Sequence, residues 1–400
     1  MASPAHSTYS VGAGSPIHGG RWPGGRLSGA VDLAAVLGAG ALGTNASDLG
    51  GDVALGAAVA AGTMDDGMPA WWHAAPVGQW VAISGTAGPA AGLNTNAYSD
   101  MTLRPSDSTL LVVAAGGHSD GSSNGAASLR LSDDAPAWTT LRSSSTPTAD
   151  VLYYGDGRPT SRHTYHYTHY IESLDAVLLA GCRFGYGGST PTGPGLDLFS
   201  LSTNDYLARY TWPDLSPFGG GAFGVCQDGS GHIWTAGGYK INGTTGVLTK
   251  PGSGSLLRYP AAYDSIRDKV FALQFDDGEG FGGAGLQAVQ LDPSTGNSTS
   301  ISFNGSAGLT AFNAAGPDYA AMAYCPLDGK FYFMHPGEIQ KLYVITPNGT
   351  TTWDMAEQTI AGTLPASSGA LCKRFLYVPQ LSGFVVQTAQ ASNLYFMRVA

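Results

Sequence analysis

The densest group of residues suited to chemistry is the segment from Ser161 to Ser173, SRHTYHYTHYIES, which is rich in histidine and tyrosine. In a strand, alternate side chains share a face, so His163, Tyr165 and Tyr167 would lie together. On that strand His163 and His169 would be about 20 Å apart, which is too far for both to bind one metal ion. We interpret His163, Tyr165 and Tyr167 as residues that line a polar channel or that stack on a sugar.

A second group of polar and aromatic residues lies in glycine-rich segments that follow apolar runs. The segments AGGHSDGSSNGA, RFGYGG and TAGGYK hold equivalent places in successive repeats. Loops held by a rigid scaffold are where binding residues concentrate. We expect a ligand-binding patch at one rim of the fold, formed by His118, Asp120, Arg183, Tyr186, Tyr239 and Lys240. The alternative is that these side chains satisfy backbone groups in tight glycine turns.

Motifs for catalysis are scarce. The sequence contains no P-loop, no G-x-S-x-G and no H-E-x-x-H pattern. Asp276, Asp277 and Glu279 offer carboxylates for glycoside hydrolysis, but an acidic turn explains them as well. The segment DGSGHIW, which begins at Asp228, resembles a single poor copy of a sialidase aspartate box. We expect the chain not to be an enzyme and to bind neither a metal nor a cofactor.

Composition limits the fold that positions these residues. Glycine accounts for 58 of the 400 residues, charged residues for 12% and hydrophobic residues for 43%. The apolar content excludes a disordered chain, and the scarcity of lysine, glutamate and arginine excludes long charged helices. A net charge of −10 argues against a nucleic-acid partner. The apolar stretch from Val31 to Ala61 carries aspartates and is a poor membrane span.

From about Trp72 onward, short apolar runs alternate with glycine-rich breaks. Six runs follow a turn signal and are typical of the second strand of a propeller blade. They are Thr109–Gly117, Leu174–Gly181, Gly231–Gly238, Arg267–Phe275, Asp328–Met334 and Ser382–Ala389. Six copies of one strand–turn–strand pattern favour a radial fold over the alternatives, a two-sheet sandwich or two separate β domains. We predict an all-β chain in which residues 76–400 form a six-bladed β-propeller.

Two features of these repeats resemble kelch-type propellers, the family of the galactose-oxidase central domain: diglycines after Ala115 and Ala236, and tryptophans in the expected fourth strands. These tryptophans are Trp138, Trp212 and Trp353. The oxidase copper site is not implied, because no cysteine here lies in a recognisable copper context. The chain ends in the strand NLYFMRVA with no fourth strand after it, and GQWVAIS around Trp80 can supply one. The kelch-like resemblance therefore predicts that the Trp80 strand completes the last blade and closes the ring.

Residues 1–75 differ in composition from the rest. From Val11 to Met64, 26 of 54 residues are glycine or alanine. Within this stretch LSGAVDLAAVLGAGAL and LGGDVALGAAVAAGTM share the pattern L-[S/G]-G-x-V-x-L-x-A at an offset of 22 residues. The regular leucines and valines suit short strands that need a neighbouring chain to cover them. The residues that we assign to assembly are Leu27, Val31, Leu33, Leu49, Val53 and Leu55.

The same repeat resembles segments near the ends of tailed-bacteriophage structural proteins. The resemblance implies a virion protein, made in the host cytoplasm, in which residues 1–75 anchor the chain to other virion proteins. A flexible Gly/Ala linker is the alternative for this segment. The propeller would bind a host-surface glycan or decorate the particle, as a homo-oligomer. The alternative function is a carbohydrate-active enzyme or lectin, since propellers host both.

Overall fold

The chain divides into two units, Met1–Met68 and Pro69–Ala400. The computed structural model describes residues 67–89, 91–96, 98–117, 120–180, 183–187, 196–208, 211–212, 224–256, 260–274, 287–305, 310, 319–367 and 369–399. The six residues assigned to assembly therefore lie outside the described residues, as does His118. Within the described ranges, no helix is long and apolar enough to cross a membrane.

The second unit is a six-bladed β-propeller made of small antiparallel sheets. One short helix, α1 (Ala70–His73), and one strand, β1 (Trp80–Ile83), precede the first blade. Blade 1 contains β2 (Thr102–Arg104), β3 (Thr109–Val113), β4 (Ala126–Arg130) and β5 (Thr139–Arg142). Blade 2 contains β7 (Thr168–Ile171), β8 (Ala176–Ala180), β10 (Leu196–Ser200) and β11 (Asp205–Tyr206), with a separate ribbon of β6 (Arg162–His163) and β9 (Arg183–Gly185).

The remaining blades repeat the same order of strands. Blade 3 contains β12 (Gly224–Gln227), β13 (Ile233–Thr235), β14 (Lys240–Ile241) and β15 (Leu248–Thr249), and blade 4 contains β16 (Ala261–Asp264), β17 (Lys269–Gln274), β18 (Gln287–Leu291) and β19 (Ser298–Ser300). Blade 5 contains β21 (Ala321–Cys325), β22 (Lys330–Met334), β23 (Lys341–Thr346) and β24 (Thr352–Thr359), with β20 (Ser302–Phe303) added in parallel at its outer edge. Blade 6 contains β25 (Phe375–Val378), β26 (Gly383–Val386) and β27 (Leu394–Arg398).

All six runs predicted as second strands contain the second strand of a blade. These strands are β3, β8, β13, β17, β22 and β26. The turn before each contains a residue with a positive φ, a conformation that glycine and short polar residues adopt at low cost. The residues are Ser108, Asp175, Gly231, Asp268, Gly329 and Ser382. Turn chemistry local to each hairpin therefore sets the repeat.

The ring has two distinct ends. First strands begin, and second strands end, at one end, which we call the loop end. Turns from first to second strands and from third to fourth strands lie at the opposite end, which we call the base. The first strands of successive blades are neighbours around the ring. Blades 6 and 1 meet at the base through two 3-10 turns, Pro379–Leu381 and Pro105–Asp107, where the Gln380 amide donates to the Pro105 carbonyl.

The ring is closed by β1, which is the fourth strand of blade 6. It pairs antiparallel with β27, with Trp80 opposite Met397 and Ile83 opposite Leu394. This is the position that the sequence analysis assigned to the Trp80 strand. Trp80 is only 3% exposed and packs between blades 5 and 6, with its ring 6.3 Å from that of Phe375. Closure removes the free edge that β27 would otherwise present.

The helix α1 binds across the seam between blades 6 and 1 at the base. Its Trp72 indole donates to the Leu381 carbonyl (2.7 Å) and lies under the Arg398 guanidinium (4.4 Å), both in blade 6. Its Trp71 indole donates to the Asp133 carbonyl of blade 1 (3.0 Å). Residues 69–75, which the sequence analysis placed in the N-terminal segment, thus belong to the propeller unit, because two indoles and their hydrogen bonds hold them there.

The hydrophobic core is distributed between adjacent blades. Between blades 4 and 5, for example, Phe271, Phe331 and Trp353 are buried, and the rings of Phe331 and Trp353 stack at 6.1 Å. Similar clusters lie between blades 1 and 2, 2 and 3, and 5 and 6. Because each cluster draws on two sheets, no blade has a complete core of its own.

We expect three truncated chains to distinguish the contribution of α1 to stability from that of β1. A chain that begins at Pro69 should unfold in urea as cooperatively as the full chain. A chain that begins at Val77 lacks α1 and should be less stable, and one that begins at Thr86 also lacks β1 and should aggregate through the exposed edge of β27.

Trp80→Ala should cost about 3–5 kcal/mol of unfolding free energy, because it leaves a large cavity.

The exposed residue Val77 provides the matched control, since Val77→Ala at the same end should change stability by no more than about 0.5 kcal/mol. Equal stability of the chains that begin at Pro69 and Thr86 would contradict the role of β1 in closure.

Candidate functional site

Three tyrosines meet at the axis of the propeller, at its loop end. Each precedes the first strand of a different blade: Tyr98 before blade 1, Tyr165 before blade 2 and Tyr319 before blade 5. All three have a positive φ, at 47°, 47° and 59°. Cys372 holds the equivalent place before blade 6, with a φ of 48°. Left-handed backbone is costly for bulky residues, so the surroundings must hold it in place.

Backbone hydrogen bonds between adjacent blades provide that hold. The Tyr165 N–H donates to the Tyr98 carbonyl at 2.7 Å, which joins blades 1 and 2. The Cys372 N–H donates to the Tyr319 carbonyl at 2.8 Å, which joins blades 5 and 6. The carbonyls of Tyr98 and Tyr319 thus each accept a hydrogen bond from the next blade, which ties the entry segments of neighbouring first strands together.

The three tyrosine rings contact one another and form what we call the tyrosine collar. The Tyr98 ring lies 4.6 Å from that of Tyr319 and 5.8 Å from that of Tyr165. The rings of Tyr165 and Tyr319 stack at 6.1 Å. Tyr165 is buried, whereas Tyr98 and Tyr319 are half-buried. The collar therefore presents the partly exposed rings of Tyr98 and Tyr319 over a buried aromatic layer.

A histidine and an aspartate border the collar. The His163 ring lies 4.9 Å from that of Tyr98, and His163 Nδ1 lies 3.4 Å from the Tyr165 hydroxyl. His163 Nε2 lies 2.9 Å from Asp120 Oδ2. The Asp120 side chain is 40% exposed while the His163 side chain is buried, so the carboxylate orients the imidazole and part of the carboxylate stays open to solvent.

Beneath the collar, a lysine and an aspartate lie at the axis. The Lys373 ammonium donates to the Thr168 carbonyl at 2.7 Å, and Asp100 Oδ2 accepts from the Thr168 N–H at 2.9 Å. Burial raises the pKa of Asp100 to about 6, against the opposing effect of the Lys373 charge. Burial also lowers the pKa of Lys373.

Two histidines near Lys373 are uncharged at neutral pH. Burial, with the Lys373 charge in second place, lowers the pKa of His166 to about 3 and that of His169 well below its ordinary value. His169 Nε2 lies 3.2 Å from the Gly224 carbonyl. Lys373 and Asp100 are therefore the charged side chains that contact Thr168 in this axial region.

The structure unites part of the predicted site. Asp120 contacts His163, and His163 also contacts Tyr165. The sequence analysis assigned Asp120 to a rim patch and interpreted His163 and Tyr165 as lining a channel or stacking on a sugar. His163, Tyr165 and Tyr167 are 4%, 4% and 1% exposed. The backbone of Arg183, in β9, pairs with that of His163, which brings the second predicted loop to the same place.

The other predicted rim residues make local contacts. The Tyr186 carbonyl accepts from the Asp150 N–H at 2.9 Å. The Tyr239 ring lies 5.0 Å below the Lys250 ammonium, and Lys240 pairs with Trp234 within blade 3. Tyr239 and Lys240 thus take part in the hairpin of blade 3.

The segment from Ser161 to Ser173 is not one continuous strand. β6 ends at His163, a turn follows in which the Tyr167 N–H donates to the Thr164 carbonyl at 2.8 Å, and β7 begins at Thr168. The alternation of faces that a single strand would impose is therefore wrong for this segment, because the positive φ of Tyr165 reverses the chain there.

Sequence reasoning missed Tyr98, Tyr319, Asp100 and Lys373. The available signal was positional: an aromatic residue stands two to four residues before a first strand in AYSDMT, TYHYTH and DYAAMA. A lone tyrosine in a loop gives no reason to expect convergence until the ring is known.

The aspartate-box-like segment has a structural role. Asp228 Oδ1 accepts from the N–H groups of Ser230 (2.9 Å) and His232 (3.0 Å), and Oδ2 accepts from the Trp234 indole (2.8 Å). This carboxylate fixes the hairpin turn of blade 3 at the base. Across the part of the chain that the structure describes, no group of three His, Cys, Asp or Glu side chains could hold a metal ion.

We expect His166 and Asp100 to have opposite effects on how the free energy of unfolding changes with pH. Below pH 6.5 the unfolded chain protonates His166 while the folded chain does not, so stability falls by about 1.4 kcal/mol per pH unit. Between pH 6 and 4 the folded chain protonates Asp100 before the unfolded chain does, which raises stability as the pH falls. In urea unfolding at pH 6 and pH 5, His166→Gln should lose less stability than the parent and Asp100→Asn more. Identical losses in all three chains would contradict these assignments.

Comparisons with known proteins give no family for the chain. No family model matches it, and no curated protein matches it either. Among solved structures it is similar to a chain described as "Crystal Structure of Mitotic Checkpoint Complex", with 11% sequence identity and a TM-score of 0.38 over 81% of this chain and 92% of that chain. This likeness is too low to support an argument about function.

Proposed function

We propose that this chain is a non-catalytic binding protein whose propeller binds a glycan at the tyrosine collar. The observation that carries the proposal is the convergence of Tyr98, Tyr165 and Tyr319, each in a left-handed conformation, with His163 and Asp120 beside them. Such conformations persist where the surrounding structure over-determines them, which is common in ligand-binding sites.

The chemistry of the collar suits a sugar. Tyrosine offers a flat apolar face and a hydroxyl, which match the apolar faces and hydroxyl groups of a pyranose ring. The half-buried rings of Tyr98 and Tyr319 provide the faces, and the exposed carboxylate of Asp120 provides an acceptor for hydroxyl protons. A rigid ring of blades holds these groups before a ligand arrives, which limits the entropy lost on binding.

Binding is favoured over hydrolysis because one of the two carboxylates described near the collar is buried. Asp120 is hydrogen-bonded to His163, and Asp100 is 2% exposed and bonded to the Thr168 N–H. Glycoside hydrolysis needs two carboxyl groups that flank the scissile bond in an open cleft. The alternative, a carbohydrate-active enzyme on the same fold, would therefore have to use other residues.

We further propose that the propeller is the displayed part of a tailed-bacteriophage virion protein with a kelch-like fold. The repeat around Leu27 and Leu49 supports this proposal, and so do the diglycines of blades 1 and 3. The chain enters the propeller at the base through α1, opposite the collar. The exposed large hydrophobic side chains among the described residues, Val77, Val247, Ile266 and Leu327, all lie at the base. An attached base would point the collar at the host cell.

The collar variants Tyr98→Ala and Tyr319→Ala should each weaken glycan binding at least tenfold. The probe is an immobilised panel of neutral and uronic-acid-containing bacterial polysaccharides, with affinity measured by biolayer interferometry on the full chain. Tyr263→Ala is the matched control, because this half-buried tyrosine lies at the opposite end, where it donates to Asp268. It should bind as the parent does.

Three outcomes of this experiment would count against the proposal. Absence of binding by the parent to the whole panel would overturn the glycan-binding function. Equal losses in the collar and control variants would show that the tyrosines act through stability alone. Release of shorter saccharides from the panel by the parent would favour the enzyme instead.

A further inference from the structure

The floor of the collar contains a lysine that crosses the axis. Lys373 belongs to the segment that enters blade 6, yet its ammonium donates to the Thr168 carbonyl at the start of blade 2. Blades 6 and 2 are separated by blade 1, so the side chain spans the centre of the ring. An ammonium has three N–H donors, and the bond to Thr168 uses one of them. Lys373 is half-buried, so part of it remains accessible.

Asp100 faces the same region with one unused oxygen. It is 2% exposed, its Oδ2 accepts from the Thr168 N–H, and its own N–H donates to Thr164 Oγ1 at 2.9 Å. Its Oδ1 is buried and has no hydrogen-bond partner among the described residues. A buried carboxylate oxygen without a donor is costly, and such atoms in folded proteins call for a bound water or ligand.

The histidines and the cysteine near Lys373 carry no charge at neutral pH, and the charged guanidinium of Arg374 donates to the Ala370 and Leu371 carbonyls. His166 and His169 are kept neutral by burial and by the lysine. Burial raises the pKa of the Cys226 thiol to about 12. The floor therefore combines one positive and one negative charge, with a spare donor on the first and a spare acceptor on the second.

The floor lies directly beneath the collar. Asp100 follows Tyr98 by two residues, and Lys373 follows Cys372, whose N–H donates to the Tyr319 carbonyl. A sugar that stacks on the rings of Tyr98 and Tyr319 can thus direct one substituent towards the axis.

We propose that the Lys373–Asp100 floor binds a hydroxyl group of a neutral sugar. The hydroxyl donates its proton to Asp100 Oδ1 and accepts one from the Lys373 ammonium, so both spare positions are used. A uronic-acid carboxylate would accept from Lys373 but would face the like charge of Asp100, which disfavours it. This inference rests on the proposed glycan-binding function and adds a preference for neutral sugars over uronic acids.

The test compares two matched polysaccharides, one neutral and one in which the equivalent hexose is a uronic acid. The parent should prefer the neutral polymer at least tenfold at pH 7.5. Asp100→Asn keeps the shape of the side chain but removes its charge, so it should weaken binding of the neutral polymer and reduce the preference at least fivefold. Lys373→Met should weaken binding of both polymers.

The outcomes separate this inference from the proposed function. If Tyr98→Ala abolishes binding while Asp100→Asn leaves both affinities unchanged, the collar binds glycan and the floor has no part in it. If the parent prefers the uronic acid, the assignment of a neutral sugar is wrong. Should Lys373→Met fail to fold, Asp100→Asn decides the matter alone. A crystal structure of the parent soaked with the neutral oligosaccharide should show a sugar hydroxyl between the two side chains, and a water that stays there would overturn the proposal.

Discussion

The pairing of β1 with β27 is the interaction on which the rest of the propeller depends. The cores lie between blades, so each blade is stable only while both neighbours are in place. At the seam this condition requires residues from the first and the last parts of the propeller's sequence. The Leu394 N–H donates to Thr86 Oγ1 across 308 positions in the sequence, and Trp80 fills the space between blades 5 and 6. Contacts between residues so far apart in sequence are costly in entropy. Burial of the Trp80 indole and the contacts of α1 offset that cost.

Closure also determines what can happen at the axis. Once six first strands begin at one small circle, their entry segments must cross over a common centre. Some residues there satisfy backbone groups with a neighbouring blade, as Tyr165 does with the Tyr98 carbonyl and Cys372 with the Tyr319 carbonyl, and all four have left-handed conformations. The same crowding brings the Lys373 side chain from blade 6 to blade 2. The candidate site is thus a consequence of the ring geometry, to which the residue types give chemical character.

The sequence predicted the blades well because hairpins are local. A turn signal followed by an apolar run identifies a second strand without any knowledge of its neighbours, and an incomplete last blade pointed directly to Trp80 as the closing strand. The site was harder to predict because it depends on contacts between blades. His163 was recognised, but Tyr98 and Tyr319 stand alone in loops, and the reversal of the chain at Tyr165 depends on a carbonyl of blade 1. Periodicity within a strand contains no information about such contacts.

The position of α1 and β1 affects how the molecule would resist force. A pull on the chain before Gly67, directed away from the base, acts first on the indole contacts of Trp71 and Trp72. Beyond them the force acts along the length of β1. The four residues of β1, from Trp80 to Ile83, pair antiparallel with β27, so the force runs along both strands and loads all their hydrogen bonds together. Hydrogen bonds loaded lengthwise share the force, whereas bonds peeled from one end break in turn. The seam that closes the ring is therefore placed in the shear geometry, which resists tension better than an unzipping edge.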